Sequence, residues 1–253
     1  MSKIIAITNQ KGGVGKTTTA INLSAALGES GEKILLIDFD PQGNSSSGLL
    51  PDSSAIKGTI YDILCDRLDI SYCIIENAAP GVDIIPASVD LSGAEVELTQ
   101  IDEGQSMLRK VVLELRNAYD YIFIDCPPSI GTLTVNALTA ADSAIIPVQC
   151  EYYALEGLGQ VLNTIELVRQ SLNPSLITEG ILFTMYDART KLSEQVIESV
   201  RSALDEFIFD TVIPRNVRLA EAPSYGVPVL EYDTSSRGAE SYRLLAAELL
   251  KRR

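Results

Sequence analysis

Short aliphatic runs alternate along the chain with stretches in which apolar residues recur every three to four positions. The runs fall at 4–8 (IIAIT), 34–38 (ILLID), 82–86 (VDIIP), 121–125 (YIFID), 144–148 (AIIPV) and 180–184 (GILFT), with a shorter one at 207–213 (FIFDTVI). Stretches of helical period lie at 17–29, 105–118, 131–141, 156–172, 191–206 and 237–252. Strands alternating with helices predict right-handed crossovers. The pattern therefore predicts an α/β fold: a mostly parallel twisted sheet with helices on both faces. No linker-like composition or internal repeat interrupts it, so a single domain over 1–253 is expected. The segment 44–60 (NSSSGLLPDSSAIKGTI) reads as the most loop-like. It follows a strand ending in a carboxylate, the edge where α/β sheets bind ligands.

Composition narrows this picture. The chain is 46% hydrophobic but only 6% aromatic, so its core must be mostly aliphatic, as buried parallel strands prefer. No apolar stretch approaches the roughly 18–20 residues of a membrane span. Met1-Ser2-Lys3 leads straight into a strand without a signal-peptide layout, and a soluble cytoplasmic protein is expected. Cys65, Cys73, Cys126 and Cys150 form no CxxC pair and read as reduced, buried thiols. The absence of histidine removes imidazole acid–base chemistry and leaves carboxylates, lysines and hydroxyls. A net charge of −14 argues against a nucleic-acid-coating protein, so any DNA contact must come from a local basic patch.

Glu95, Glu97, Asp102 and Glu103 read as a solvated helix face and loop. The last helical stretch ends in Lys251-Arg252-Arg253, complementing its dipole. Its stripe of Tyr242, Leu245, Ala246 and Leu249 is expected to pack in the core rather than anchor to a membrane.

The chemistry concentrates at strand ends. After the first run come Lys11-Gly12-Gly13-Val14-Gly15-Lys16-Thr17-Thr18. Small residues let backbone N–H groups converge on an anion at a helix N-terminus. Lys16 supplies charge for the β- and γ-phosphates, Thr17 a hydroxyl for Mg²⁺, and the N–H groups of Gly13 to Thr18 line the phosphates. Lys11 is unusual, because it stands where the common phosphate loop has no charge, and Gln10 stands where that loop usually has its first glycine.

Asp38 and Asp40 end the second run before Pro41 breaks the strand. One can hold structure or a Mg²⁺ water, and Asp40 is expected to face the γ-phosphate and position the attacking water. Asp125 ends an aliphatic strand as a Mg²⁺-shell carboxylate does, and the Cys126-Pro127-Pro128-Ser129 turn after it reads as a switch. Pro214, Arg215 and Asn216, in a polar loop after a late run, are expected to recognise the base.

The stretches NQKGGVGKTT, LLIDFDPQGN, IDCPPS, PVQCEYYALEG and VIPRNVRLAEAPS together resemble the ParA/MinD family of deviant-Walker ATPases, most closely its chromosome-partitioning ParA/Soj branch. The resemblance spans positions 9 to 224. It implies an ATP- and Mg²⁺-dependent homodimer in which Lys11 crosses to the partner's phosphates and Lys16 and Thr17 bind nucleotide and metal. It also implies that Asp40 orients water, that Asp125 serves the Mg²⁺ shell, and that Pro214 to Asn216 contact adenine. A lysine supplied in trans would tie catalysis to dimerisation, with a slow basal rate.

The family binds non-specific DNA as the ATP dimer. Arg189 and Arg218 occupy the matching segments, and Lys191, Arg215 and Lys251-Arg252-Arg253 complete a candidate basic strip. The function implied is a DNA-segregation switch, cytoplasmic and nucleoid-associated, stimulated by a ParB-type centromere-binding partner. The DNA-reading region that precedes the phosphate loop in larger plasmid ParA proteins is expected to be absent. A MinD-like membrane-cycling ATPase is the alternative, and would need an amphipathic tail after the last helix. An iron-protein-like cluster ATPase would need cysteines facing a dimer axis, where Cys126 and Cys150 do not fall. A role in regulating replication initiation is compatible with segregation.

Overall fold

The computed structural model describes residues 2–65 and 68–252. Strand β1 (Lys3–Ile7) leads into helix α1 (Lys16–Glu29), followed by β2 (Ile34–Asp38), α2 (Asn44–Leu49) and α3 (Ile60–Leu64). A hairpin of β3 (Ile75–Ala79) and β4 (Val82–Ile85) precedes α4 (Leu91–Glu97) and α5 (Met107–Leu115). Then come β5 (Tyr121–Asp125), α6 (Thr132–Ala140), β6 (Ser143–Gln149), α7 (Ala154–Ser171), β7 (Ile177–Thr184) and α8 (Lys191–Ala203). Short helices α9 (Val217–Glu221) and α10 (Val229–Tyr232) lead to the last, α11 (Arg237–Leu250).

The strands form one seven-stranded sheet in the order β3-β4-β2-β5-β1-β6-β7. All neighbours run parallel except the β3–β4 hairpin at one edge. Alternate strand residues feed two cores. Ile4, Leu35, Ile37 and Ile124 face α3 to α8, whereas Ile5, Leu36 and Phe123 face α1 and α11. The stripe Tyr242, Leu245, Ala246 and Leu249 of α11 is buried in that second core, as its spacing predicts. Burial of every strand of the trio β2, β5 and β1 explains why these runs are apolar on both faces.

The topology brings three chemical segments together. In the parallel register Ile7 stands beside Asp125, and Asp125 beside Asp38. The loops that leave β1, β2 and β5 therefore emerge side by side at the carboxyl edge of the sheet.

Three local expectations need correction. The loop-like segment 44–60 contains α2 and a 3₁₀ turn at Ser53–Ala55. The backbone N–H and Oγ of Ser46 both donate to buried Asp38, at 2.7 and 2.6 Å, which holds α2 against the end of β2. Serine-rich composition signals a loop only until a buried acceptor claims the donors. The run 207–213 is not a strand of the sheet; it meets β7 through an isolated bridge of Ile208 to Ile181 and the Ile213 N–H on the Phe183 carbonyl at 2.9 Å. Residues 75–79, which the hydrophobic pattern passed over, form β3. Being an edge strand in which only Ala79 is buried, it carries little apolar signal.

Pro147 lies inside β6 although that strand has neighbours on both sides. Its pairing with β1 ends at Ile145, so no ladder donor is needed from residue 147 on that side. The Pro147 carbonyl instead accepts from Asn9 Nδ2 at 2.8 Å.

Candidate nucleotide site

The loop after β1 turns through Gly13 and Gly15, at φ +75° and +89°, a region that strains any residue with a Cβ. Gly15 caps α1, and the first helical bond runs from Thr19 N to Gly15 O at 2.9 Å. Among the described residues, the N–H groups of residues 13–18 make no hydrogen bond outside the helix. Unsatisfied donors at the positive end of a helix dipole form an anion site.

Lys16 is buried, and its Nζ donates to the Lys11 carbonyl at 3.2 Å. Burial lowers its pKa, while the nearby charges of Asp125 and Asp40 act in the opposite direction. A cleft of about 440 Å³ opens beside it, lined by Gly12, Gly13, Gly15, Lys16, Thr17 and Thr18 from the loop and by Asp40, Gln42 and Pro128 from the neighbouring strand ends. Asp40 accepts from Gln42 N at 3.0 Å, which fixes it at the head of the turn.

Beneath the cleft lie two carboxylates fully removed from solvent. Asp38 is occupied by Ser46. Asp125 Oδ2 accepts from Ser45 Oγ at 2.8 Å, and the Thr17 hydroxyl favours its charged form. Its Oδ1 is buried without a hydrogen bond of normal geometry. Desolvation, with the charge of Asp38 added, pushes Asp125 up to about 7. A buried carboxylate with an orphan oxygen, beside a hydroxyl and Asp40, is an all-oxygen donor set suited to a hard dication, directly or through water. The residues present therefore fit Mg²⁺.

A second chamber of about 350 Å³ adjoins the first through Gly15, Thr18, Met185, Leu219 and Ala220. Pro214, Arg215 and Asn216 line it together with Ile213, Val217 and Tyr242. Asn216 Oδ1 caps α9 by accepting from Arg218 N at 2.8 Å, so the donor left to that amide is its Nδ2 group. A largely apolar slot next to a phosphate cradle has the proportions for a nucleobase. A larger cavity, about 850 Å³, lies between the start of α7 and α8. It contains none of the glycine loop or the aspartates.

Not every residue singled out from the sequence joins the cleft. Val14 is buried, and its main-chain carbonyl accepts from Thr184 Oγ1 at 2.8 Å, which anchors the loop from behind. Lys11 does not line its own cleft; its ammonium pairs with Glu151 at the foot of α7. Arg189 is 86% exposed but holds Asp187 in a two-pronged pair, with Nη2 to Oδ2 at 2.7 Å and Nε to Oδ1 at 2.9 Å. Those bonds, aided by the charge of Arg215, hold the Asp187 carboxyl well below the usual carboxylate range. Arg218 pairs with Glu221 at 2.8 Å and Asp233 at 3.2 Å.

The basic strip is narrower than expected. Arg252 is drawn into the fold, stacked over Phe207 at 3.4 Å from the ring centroid and donating to the Glu179 carbonyl at 2.6 Å. Arg253 lies outside the described residues. Conversely, Ser45, Ser46, Thr184 and Met185 serve the site without any motif of their own, and Glu151 lies within PVQCEYYALEG without having been assigned a role from the sequence. Met185 lines both chambers at φ +51°, a strained backbone that no sequence pattern discloses.

Comparison with known proteins places these features in a family. The model described as an AAA domain matches residues 2–178. The sporulation initiation inhibitor protein Soj of Bacillus subtilis is 54% identical over 249 residues, covering 98% of each chain. The chromosome partitioning protein ParA of Myxococcus xanthus is 52% identical, covering all of this chain and 89% of that one. Among solved structures, a cobyrinic acid a,c-diamide synthase from Mycobacterium smegmatis with bound ADP and magnesium superposes with a TM-score of 0.87 at 37% identity. That match covers 99% of this chain and 95% of the other.

Proposed function

This chain belongs to the AAA-domain family and within it to the Soj/ParA partitioning proteins, and from that membership we propose that it is an ATP-driven dimerisation switch for DNA segregation. ATP and Mg²⁺ are its cofactors, in keeping with the magnesium and the ADP or ATP analogue bound in the structures of the Mycobacterium smegmatis synthase. The observation that carries the reading is the meeting of Lys16, Thr17 and Asp40 around one cleft, with Asp125 beneath it and Lys11 directed elsewhere. A phosphate site equipped for hydrolysis, whose signature lysine faces away from it, calls for a lysine from a second copy.

Each residue has a physical task in this reading. The N–H groups of residues 13–18 and Lys16 hold the phosphates. Thr17 and Asp125 would hold the metal shell, and a dication bound there would supply neutralising charge to the phosphates. Asp40 accepts from and orients the attacking water, since no histidine exists to do so. Pro214, Arg215 and Asn216 border the base. Lys11 of the opposing copy adds positive charge to the transition state, where it counts most. Turnover without a partner is slow, because this lysine is absent until the dimer forms.

The output is non-specific DNA binding by the dimer, through Arg189 and Arg218, reset when a ParB-type centromere-binding protein stimulates hydrolysis. Surface ion pairs contribute about 0–1 kcal/mol each, so Asp187 and Glu221 can yield their arginines to phosphates. The −14 charge of each chain keeps single-copy binding weak, and doubling the patch makes it effective. The protein acts at the nucleoid. The apolar stripe of α11 is buried against α1, as core packing of that stripe requires. Among the described residues no helix is long and apolar enough to cross a bilayer.

Size-exclusion of Asp40→Ala with ATP, with and without DNA in a salt series, tests the proposal. The expected result is a stalled dimer that co-elutes with DNA at low salt and releases it as salt rises. An Asp40→Ala protein that stays monomeric with ATP, or turns over ATP like wild type, would overturn it.

A further inference from the structure

Three consecutive residues of the glycine loop are fastened to the β6–α7 junction of the same chain. Asn9 Nδ2 donates to the Pro147 carbonyl, and Asn9 Oδ1 accepts from Lys11 N at 3.0 Å. Gln10 Nε2 donates to Gln160 Oε1 on α7. Lys11 Nζ pairs with Glu151 Oε1. Glu151 itself is held in a tight turn, with its N–H on the Gln149 carbonyl at 2.8 Å and its carbonyl accepting from Ala154 N at 3.0 Å. The acceptor is thus pre-positioned, and both residues that make this loop unusual, Gln10 and Lys11, are engaged by β6–α7.

We infer that Glu151 is a cis latch for Lys11: it holds the lysine within its own chain, and ATP-dependent dimerisation must break that pair. The inference rests on the trans role of Lys11 proposed above. A lysine that serves a second copy is a liability while the chain is alone, since an unpaired ammonium next to a phosphate cradle can fold back onto its own nucleotide. Glu151 prevents this by offering a nearer anion. The pair remains openable, because the lysine and glutamate side chains are 45% and 33% exposed. At that exposure it favours the latched state by about threefold. Two latches open per dimer, so their removal should tighten dimerisation about tenfold.

The test compares full-length wild type, Glu151→Gln, Lys11→Ala and the double variant by sedimentation with saturating ATP over a range of protein concentration. Glu151→Gln should dimerise at about tenfold lower concentration than wild type, and the double variant should behave as Lys11→Ala does. An unchanged or higher midpoint for Glu151→Gln overturns the latch, the higher value marking Glu151 as a contact between copies. A gain that survives in the Lys11→Ala background also overturns it, because the effect would not run through the lysine. Lys11→Ala dimerising like wild type would instead refute the trans-lysine reading itself, which separates the two failures.

Discussion

Asp38 and Asp125 stand opposite each other in register at the carboxyl ends of β2 and β5, both fully buried. Two like charges in one dry site disfavour each other's ionisation. Burial pushes Asp38 up to about 6 even though Ser46 and Asp40 N–H bonds favour its charge. Asp125 is pushed up to about 7, chiefly by burial and then by Asp38. A dication beside Asp125 would reverse that arrangement.

The pH dependence follows with a definite sign. Unfolded aspartates ionise near pH 4 (about 3.9), whereas the folded pair keeps protons to about 6 and 7. Between those values the native state binds more protons, so stability falls as pH rises through the window. The melting temperature of the nucleotide-free protein should therefore rise from pH 7.5 to pH 5.5, and Asp125→Asn should flatten the slope. Mg²⁺ competes with the proton. Calorimetry in two buffers should detect proton release on Mg·ADP binding near pH 6.5 that fades by pH 8.5; proton uptake would contradict the metal assignment.

Ser46 joins two buried elements, donating to Asp38 at 2.6 Å and accepting from Ala87 N at 2.9 Å through the same Oγ. Ser46→Ala strands the buried Ala87 N–H and leaves Asp38 with only the Ser46 and Asp40 backbone N–H groups, at a cost of about 1–3 kcal/mol. Urea denaturation should show a lower midpoint with an unchanged slope. A midpoint equal to wild type would mean that water replaces the hydroxyl.

Gly28, near the end of α1, has no room for a side chain: an added Cβ would lie 2.3 Å from the Pro80 carbonyl oxygen in the β3–β4 turn. Gly28→Ala should destabilise by about 1–3 kcal/mol through overpacking. Gly157 and Gly159 on α7 have nothing within 4 Å of that position. Alanine at either should stabilise by about 0.5–1 kcal/mol. Thermal melts of the three variants check the ordering.

Arg189 is the most exposed of the proposed DNA contacts and is paired only locally, with Asp187. Arg189→Ala should leave ATP affinity unchanged and weaken DNA binding by the ATP-bound dimer. Because two copies act together, the slope of log K against log salt should shrink by about 2. Filter binding over a salt series measures this, and an unaltered slope would remove Arg189 from the interface.

Much of the site was legible in the chain because its chemistry is local. Gly13, Gly15, Lys16 and Thr17 need only a strand before them and a helix after them. Asp40 and Asp125 announce themselves by closing aliphatic runs. The misread segments depend on distant partners. Residues 44–49 become helical because Ser46 finds Asp38, and β3 exists because Asn77 N donates to Asp83 Oδ1 at 3.0 Å and Ile75 pairs with Ile84. Residues 207–213 are apolar because Phe207 and Phe209 cover Gly180, where a Cβ would lie 2.6 Å from the Phe209 ring.

The sequence by itself determined the fold class, the glycine loop between β1 and α1 and the aspartates at the strand ends, since periodicity and short motifs encode contacts between near neighbours. Only the tertiary structure decided where the charges go. Strand order β2-β5-β1 set Asp38 against Asp125, and the β6–α7 junction captured Lys11. The internal pairing of Arg189, Arg218 and Arg252 trimmed a nominal basic strip to a few exchangeable arginines. Charge–charge energies depend on separation and burial in space, and spacing along the chain specifies neither.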